Sequence, residues 1–130
     1  GYATREKLAK ERPQDPLTQR LWGEALFANR RLPEAEAVLR QALTLDAKSP
    51  EINYDLGKVI EMEGNMGQAG IFYVAALKSR PDWLPALLAA GNVAVEKQLI
   101  PVAIDAFEKA IKQDEPEDFK NCNTSYFCII

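Results

Sequence analysis

Residues 50–81 read PEINYDLGKVIEMEGNMGQAGIFYVAALKSRP. The pattern predicts two helices with a break between them. Leu56 and Ile60 sit one turn apart on the first helix. Ala69, Tyr73 and Ala76 share one face of the second, at i, i+4, i+7. Gly64-Asn65 interrupts, and both residue types tolerate the left-handed conformation that ends helices. The stretch is also copied. Gly57 has counterparts 34 residues away on either side, at Gly23 and Gly91. Ala69 matches Ala35 and Ala103, and Ala76 matches Ala42 and Ala110. Tyr73 matches Leu39 and Phe107, and Leu77 matches Leu43 and Ile111. These columns hold one register over three copies without a gap.

The period and the residue classes resemble the tetratricopeptide repeat family. The middle copy carries Leu56-Gly57, Ile60, Ala69, Tyr73, Ala76 and Pro81. The first carries Trp22-Gly23, Leu26, Ala35, Leu39 and Ala42, and the third Ala90-Gly91, Ala94, Ala103, Phe107 and Ala110. The family's early Trp is Gln19, Asn53 and Leu87 here, and its closing Pro is Ala47 in the first copy and slips to Pro116 in the third. Over residues 16–117 the resemblance implies an all-α fold: a right-handed superhelical solenoid of three helix pairs, with a general role in protein binding. The repeats are then 16–49, 50–83 and 84–117. An extra N-terminal helix lies within 1–15, and 118–130 form a non-repeat cap or tail.

Composition agrees. The 130 residues are 47% hydrophobic and 27% charged, a globular balance compatible with one domain. A net charge of −3 gives no electrostatic case for nucleic acid or an anionic membrane. No apolar run approaches the ~20 residues of a membrane span. No signal-peptide pattern is present, which says little, because the register starts the chain in mid-repeat.

Residues 2–12 read as a lone helix ending before Pro13. Counting back 34 from Ala42 and Ala47 lands on Leu8 and Pro13, so the segment fits the second helix of a preceding repeat. A solvated capping helix is the alternative. Asp15 is a plausible N-cap for the first helix of repeat one, with Pro16 at its first position. Pro33 starts the second helix after the turn Arg30-Arg31-Leu32, with Glu34 and Glu36 near the positive end of its dipole. Ser49-Pro50-Glu51 repeats the cap, proline and acid. Pro85 falls early in the next first helix, and Pro101 starts its partner. The repeated glycines and alanines belong where helices cross most closely, and Trp22, Leu39, Leu56, Tyr73 and Phe107 should fill the space between layers.

The last segment, EPEDFKNCNTSYFCII, breaks the register. Phe119, Cys122, Tyr126 and Ile129 recur at helical spacing, but Asn123, Thr124 and Ser125 are poor helix formers. The expectation is one helical turn packed on repeat three, followed by irregular chain. Cys122 and Cys128 read as free thiols, since on a helix they would face different ways. Two cysteines and no histidine cannot make a four-ligand zinc site. The lack of histidine also excludes the usual Ser-His and Cys-His nucleophile pairs. No phosphate-cradling glycine loop occurs, and Gly64, Gly67 and Gly70 belong to a helix turn. No cofactor, metal or catalytic set is expected, and the chain reads as a non-enzyme.

In the family this chain resembles, the first helices line a concave groove that takes extended or helical peptides. The matching positions are Leu17, Arg20, Leu21, Glu24, Phe27 and Ala28; then Glu51, Tyr54, Asp55, Lys58, Glu61 and Met62; then Pro85, Leu88, Ala89, Asn92, Val95 and Glu96. Arg20 and Lys58 face Glu24, Glu51, Asp55, Glu61 and Glu96, two bases against five acids, or −3. Phe27, Tyr54, Leu88 and Val95 are apolar residues on an open face, which points to contact. Asn92 is placed to bond a peptide backbone. The family's carboxylate clamp of Lys, Asn and Arg maps onto Arg20, Glu24, Asp55, Pro85 and Ala89, and only Arg20 keeps the charge. A partner's C-terminal carboxylate is therefore rejected. The expected ligand is a neutral or basic protein segment with apolar anchors. The alternative is a self-associating module that assembles through the solenoid ends and the apolar tail.

Overall fold

The computed structural model describes residues 1–114, and their regular structure is entirely helical. Seven helices follow one another: α1 (Tyr2–Glu11), α2 (Pro16–Ala28), α3 (Leu32–Leu45), α4 (Pro50–Met62), α5 (Met66–Ser79), α6 (Leu84–Glu96) and α7 (Ile100–Asp114). Short turns make sequence neighbours antiparallel. The pairs α2/α3, α4/α5 and α6/α7 pack most extensively, each pair stacks on the next, and α1 packs on α2. This is the expected right-handed solenoid of three pairs with a preceding helix. The expectations for the C-terminal cap, Cys122 and Cys128 fall outside the described residues.

Helix starts are set by local chemistry. The Leu17 N–H donates to Asp15 Oδ1 at 3.0 Å, and the Ile52 N–H donates to Ser49 Oγ at 3.2 Å. Each bond satisfies one of the orphan donors of a first turn. Helices α3 and α7 begin one residue earlier than expected, at Leu32 and Ile100. Proline is equally at home as the second residue, because no first-turn N–H has an intrahelical acceptor.

The turn within each pair is a Schellman motif, three times in register. The N–H groups of Arg31, Asn65 and Leu99 donate to the carbonyls of Leu26, Ile60 and Ala94 at 2.9, 3.1 and 2.7 Å. Those of Arg30, Gly64 and Gln98 donate to Phe27, Glu61 and Val95 at 3.0, 2.9 and 2.9 Å. Arg30, Gly64 and Gln98 are left-handed, with φ of 63°, 94° and 60°. Only the middle copy uses the residue that adopts this conformation without strain. Asn65 does not share the left-handed role. Its φ is −102°, and its Oδ1 accepts from the Gln68 N–H at 3.2 Å, capping α5.

The glycine column marks the helix crossing within each pair. A Cβ built on Gly23 would lie 2.6 Å from Leu39 Cγ, one on Gly57 2.6 Å from Tyr73 Cε1, and one on Gly91 2.6 Å from Phe107 Cε1. Leu26, Leu39, Leu56, Ile60 and Tyr73 are fully buried around these crossings. Trp22 and Phe107 are only half-buried. The Trp22 ring meets Tyr2 of α1 edge-on at 4.8 Å.

Two buried polar residues occupy the column where the family has Trp. Gln19 Nε2 donates to the Ala9 carbonyl at 2.9 Å, and Asn53 Nδ2 donates to the Ser49 carbonyl at 2.9 Å and to Ala47 at 3.3 Å. The two amides satisfy the Ala9 and Ala47 carbonyls, which no backbone N–H among the described residues reaches, and Asn53 adds a second donor to the Ser49 carbonyl. Leu87 fills the third copy with hydrocarbon alone.

Two substitutions test this frame by chemical denaturation. Gly57→Ala should cost about 1–3 kcal/mol by overpacking against Tyr73. Gln98→Gly should gain about 0.5–1 kcal/mol by relieving the left-handed strain of a residue with a Cβ. Unchanged midpoints would place neither constraint where the structure puts it.

Candidate functional site

The first helix of each pair, α2, α4 and α6, carries the positions that the family resemblance assigns to a concave groove. Two recesses lie among them and share Lys58 as a common wall. The first, about 230 Å³, is lined by Glu24, Phe27, Leu39, Asp55, Lys58 and Val59. The second, about 380 Å³, is lined by Tyr54, Lys58, Glu61, Tyr73, Leu84, Pro85, Leu88, Ala89 and Asn92. Ten of the eighteen positions singled out from the sequence therefore line these recesses: Glu24, Phe27, Tyr54, Asp55, Lys58, Glu61, Pro85, Leu88, Ala89 and Asn92.

The other eight line neither recess: Leu17, Arg20, Leu21, Ala28, Glu51, Met62, Val95 and Glu96. Arg20 stands beside the first, with Nη1 2.8 Å from Glu24 Oε1 and 3.8 Å from Asp55 Oδ2. Glu51 is turned to the junction of repeats, where Arg80 Nη1 lies 3.4 Å from its Oε1. Val95 is exposed near the end of α6.

Lys58 is the pivot. Its Nζ is 5.5 Å from the centroid of the Phe27 ring and 5.6 Å from that of Tyr54. An ammonium held over two ring faces is attracted by both quadrupoles, by ~0.5–1 kcal/mol each at an exposed site. Tyr54 in turn packs against Tyr73 at 5.8 Å and edge-on to Trp83 at 5.2 Å. Trp83 was not among the residues expected from the sequence, because it falls in the linker before α6 and not on a first helix. Arg80 also lies over the Trp83 ring, with Cζ 4.9 Å from the centroid. Tyr73 carries a second unexpected contact: its hydroxyl donates to Glu61 Oε1 at 2.9 Å. Burial, with that acceptor, pushes the Tyr73 phenol well above its ordinary range. Glu61 is thus a structural acceptor as well as a groove acid.

Asp55 alters the charge count. Burial, together with a hydrogen bond to the neighbouring Glu24 carboxylate, pushes its carboxyl up to about 8, against the pull of Arg20 and Lys58. The Asp55–Glu24 pair therefore holds a proton more readily than two isolated carboxyls, and the groove is less negative than the five acids and two bases imply. Its Oδ2 is buried without a hydrogen-bond partner. A neutral carboxyl bears that loss at far less cost than an ionised one.

Among the described residues, no three His, Cys, Asp or Glu side chains gather as metal ligands, and no helix is long and apolar enough to cross a membrane.

Residues 20–82 match the sequence profile described as tetratricopeptide repeat. Among solved structures, a crystal structure of MamA is similar at 21% identity with a TM-score of 0.80, over 87% of this chain and 66% of that one. PilF of Pseudomonas aeruginosa is similar at 16% identity and 0.79, over 87% of this chain and 52% of that one. A structure of Naa15/Naa10 bound to HypK-THB is similar at 22% identity and 0.74, over 85% of this chain and 16% of that one. This chain thus spans about two thirds of the MamA chain and less of the others. No curated protein sequence matches.

The Asp55 geometry predicts a signed pH dependence. The unfolded chain loses this proton in the ordinary aspartate range, whereas the fold holds it to about 8. The native state binds more protons between those limits, so this contribution to stability is full below the lower limit and lost as pH rises through about 8. Thermal melts of the wild type should fall from pH 5 to pH 9, and Asp55→Asn should flatten that fall. An equal slope in both proteins would assign the dependence to other groups.

Proposed function

On the tetratricopeptide repeat match of residues 20–82, we propose that this chain is a non-enzymatic scaffold whose concave groove binds a peptide segment of a protein partner. The observation that carries this reading is the pair of recesses sharing Lys58, rimmed by Phe27, Tyr54 and Leu88. Together they offer seats for apolar anchors about one repeat apart, with Asn92 beside the second to bond a backbone amide or carbonyl.

The ligand is a neutral or basic segment with one or two apolar anchors. Glu24, Glu51, Glu61 and Glu96 outnumber Arg20 and Lys58 even with Asp55 neutral, so an acidic segment is disfavoured. The anchors supply most of the affinity, and the acids select the sign of the partner. Val95 and Glu51 contribute at the margins. A second reading, assembly through the solenoid ends, is favoured by Ile104 and Ile111 of α7, both exposed. Sedimentation separates the two, because a monomer across the accessible concentration range removes the second.

A peptide array probed with the wild type, Leu88→Asp, Tyr54→Ala and Glu96→Ala tests the groove. Leu88 is 41% exposed, so its substitution spares the core. Leu88→Asp and Tyr54→Ala should each weaken the best ligands by about tenfold or more, as loss of an anchor seat does. Glu96→Ala, an exposed charge, should change them by less than about threefold. Best ligands that are acidic, or equal binding by all four proteins with folding verified by circular dichroism, would refute the reading.

A further inference from the structure

A third recess lies between the second helices of the last two repeats, α5 and α7, with α6 beneath it. It measures about 500 Å³. Ile71 and Val74 of α5 form one wall, Leu99 and Val102 the other, and Ala90, Val93 and Ala94 of α6 the floor. Ile71 and Val74 are 65% and 49% exposed, a large apolar outlay on an outer surface. Among the described residues, the only charged side chains that line it are Lys78 and Lys97. They stand at opposite ends. A Cβ on Gly67, at the start of α5, would lie 3.6 Å from Lys97 Nζ, and Lys78 lies in the last turn of the same helix. Neither lysine forms an ion pair among the described residues.

The repeat supplies an internal control. Thirty-four residues earlier, the positions of Gly70, Val74, Lys97 and Val102 hold Glu36, Arg40, Glu63 and Gln68. Those side chains form a polar network at the sister position. Arg40 Nε bonds Glu36 Oε2 at 3.0 Å, Arg40 Nη2 reaches Gln68 Oε1 at 3.5 Å, and its guanidinium lies 5.6 Å from the Phe72 ring centroid. The same fold therefore carries charge at this position once and hydrocarbon once. Stability does not require the apolar version, since the polar one serves the neighbouring repeat.

We propose that this outer trough is a docking site for an amphipathic helix of a partner protein, with an apolar stripe flanked by acidic residues at both ends. The helix is chosen by spacing. Ile71, Val74 and Lys78 recur at i, i+3, i+7, and Ala90, Val93 and Ala94 at i, i+3, i+4, so the walls and floor present ridges that another helix can interdigitate. From Gly67 to Lys78 the trough runs ~16 Å, about three turns of a partner. The acids are chosen by Lys78 and Lys97, which have no acidic residue lining the trough to answer them. The preference is opposite in sign to that of the concave groove, so the two sites discriminate between partners, or between two segments of one.

The test uses fluorescein-labelled helical peptides of about 15 residues, long enough to span the trough. They carry leucines in three i, i+3/i+4 spacings and either Glu or Lys at both ends, and binding is read by anisotropy. The Glu-flanked peptides should bind the full chain at least about tenfold tighter than the Lys-flanked ones at low salt. Val74→Glu and Ile71→Glu, both at exposed positions, should each abolish that binding, and the pair Lys78→Glu with Lys97→Glu should reverse the flank preference. Tyr54→Ala should leave it unchanged, which separates this site from the concave groove. Several results overturn the proposal: no binding, equal binding of both peptide classes, insensitivity to Val74→Glu and Ile71→Glu, or a wild-type dimer in sedimentation that Val74→Glu dissolves, which would assign the trough to a second copy of the chain.

Discussion

Each helix pair closes on the same contact: a glycine on the first helix against a large apolar side chain of the second. Gly23 faces Leu39, Gly57 faces Tyr73 and Gly91 faces Phe107, each with less room than a single methyl group needs. The close approach lets the Tyr73 ring pass beneath α4 and carry its hydroxyl to Glu61. It also determines how far apart successive first helices stand, and so the spacing of the recesses between them. The three Schellman turns then return the chain at a constant angle. Crossing and turn repeat together every 34 residues, which is why small local preferences add up to a regular superhelix.

That periodicity made the fold legible in the sequence. The glycine and alanine columns, the prolines at helix starts, and the caps at Asp15 and Ser49 all act within one turn or one pair, where pattern and geometry correspond closely. The left-handed positions were legible only at Gly64. Arg30 and Gln98 carry no such signal in their residue type, and only the register exposes them. Gln19 and Asn53 were visible as departures from the family's Trp, but their role was not. It depends on carbonyls left open by the preceding segment, which no periodicity describes.

The concave site was legible in outline and not in chemistry. Register alone places Arg20, Tyr54 and Leu88 in one column, Glu24, Lys58 and Asn92 in the next, and Phe27, Glu61 and Val95 in a third. No column keeps its character through the three repeats, so each recess is defined by which neighbours happen to meet. Lys58 meets two rings, Asp55 meets Glu24, and Trp83 enters from a linker that the helical positions omit. A charge count over sequence positions treats Asp55 as ionised. Its burial against another carboxylate is a property of the packed pair α2/α4 and has no counterpart in composition.

In a repeat protein, the frame therefore lies in what recurs, and selectivity lies in what does not. Residues that recur are constrained by the helix crossing and the turn, and they leave little latitude. Residues that vary between copies occupy surfaces where the backbone is already determined, so exchanging them costs little stability. The outer trough follows the same logic as the groove. Replacing Glu36, Arg40 and Gln68 by Gly70, Val74 and Val102 removes an ion pair that is worth little at the surface. The exchange exposes hydrocarbon, which costs a solvated monomer and returns that cost only when the surface is covered. The two faces differ in sign as well as in polarity. Glu24, Asp55 and Glu61 line the inner recesses beside Lys58, while two lysines stand at the ends of the outer trough. A chain with little net charge can present opposite preferences on two faces only if its charges are segregated by position, and a helical repeat with inner and outer helices provides that segregation.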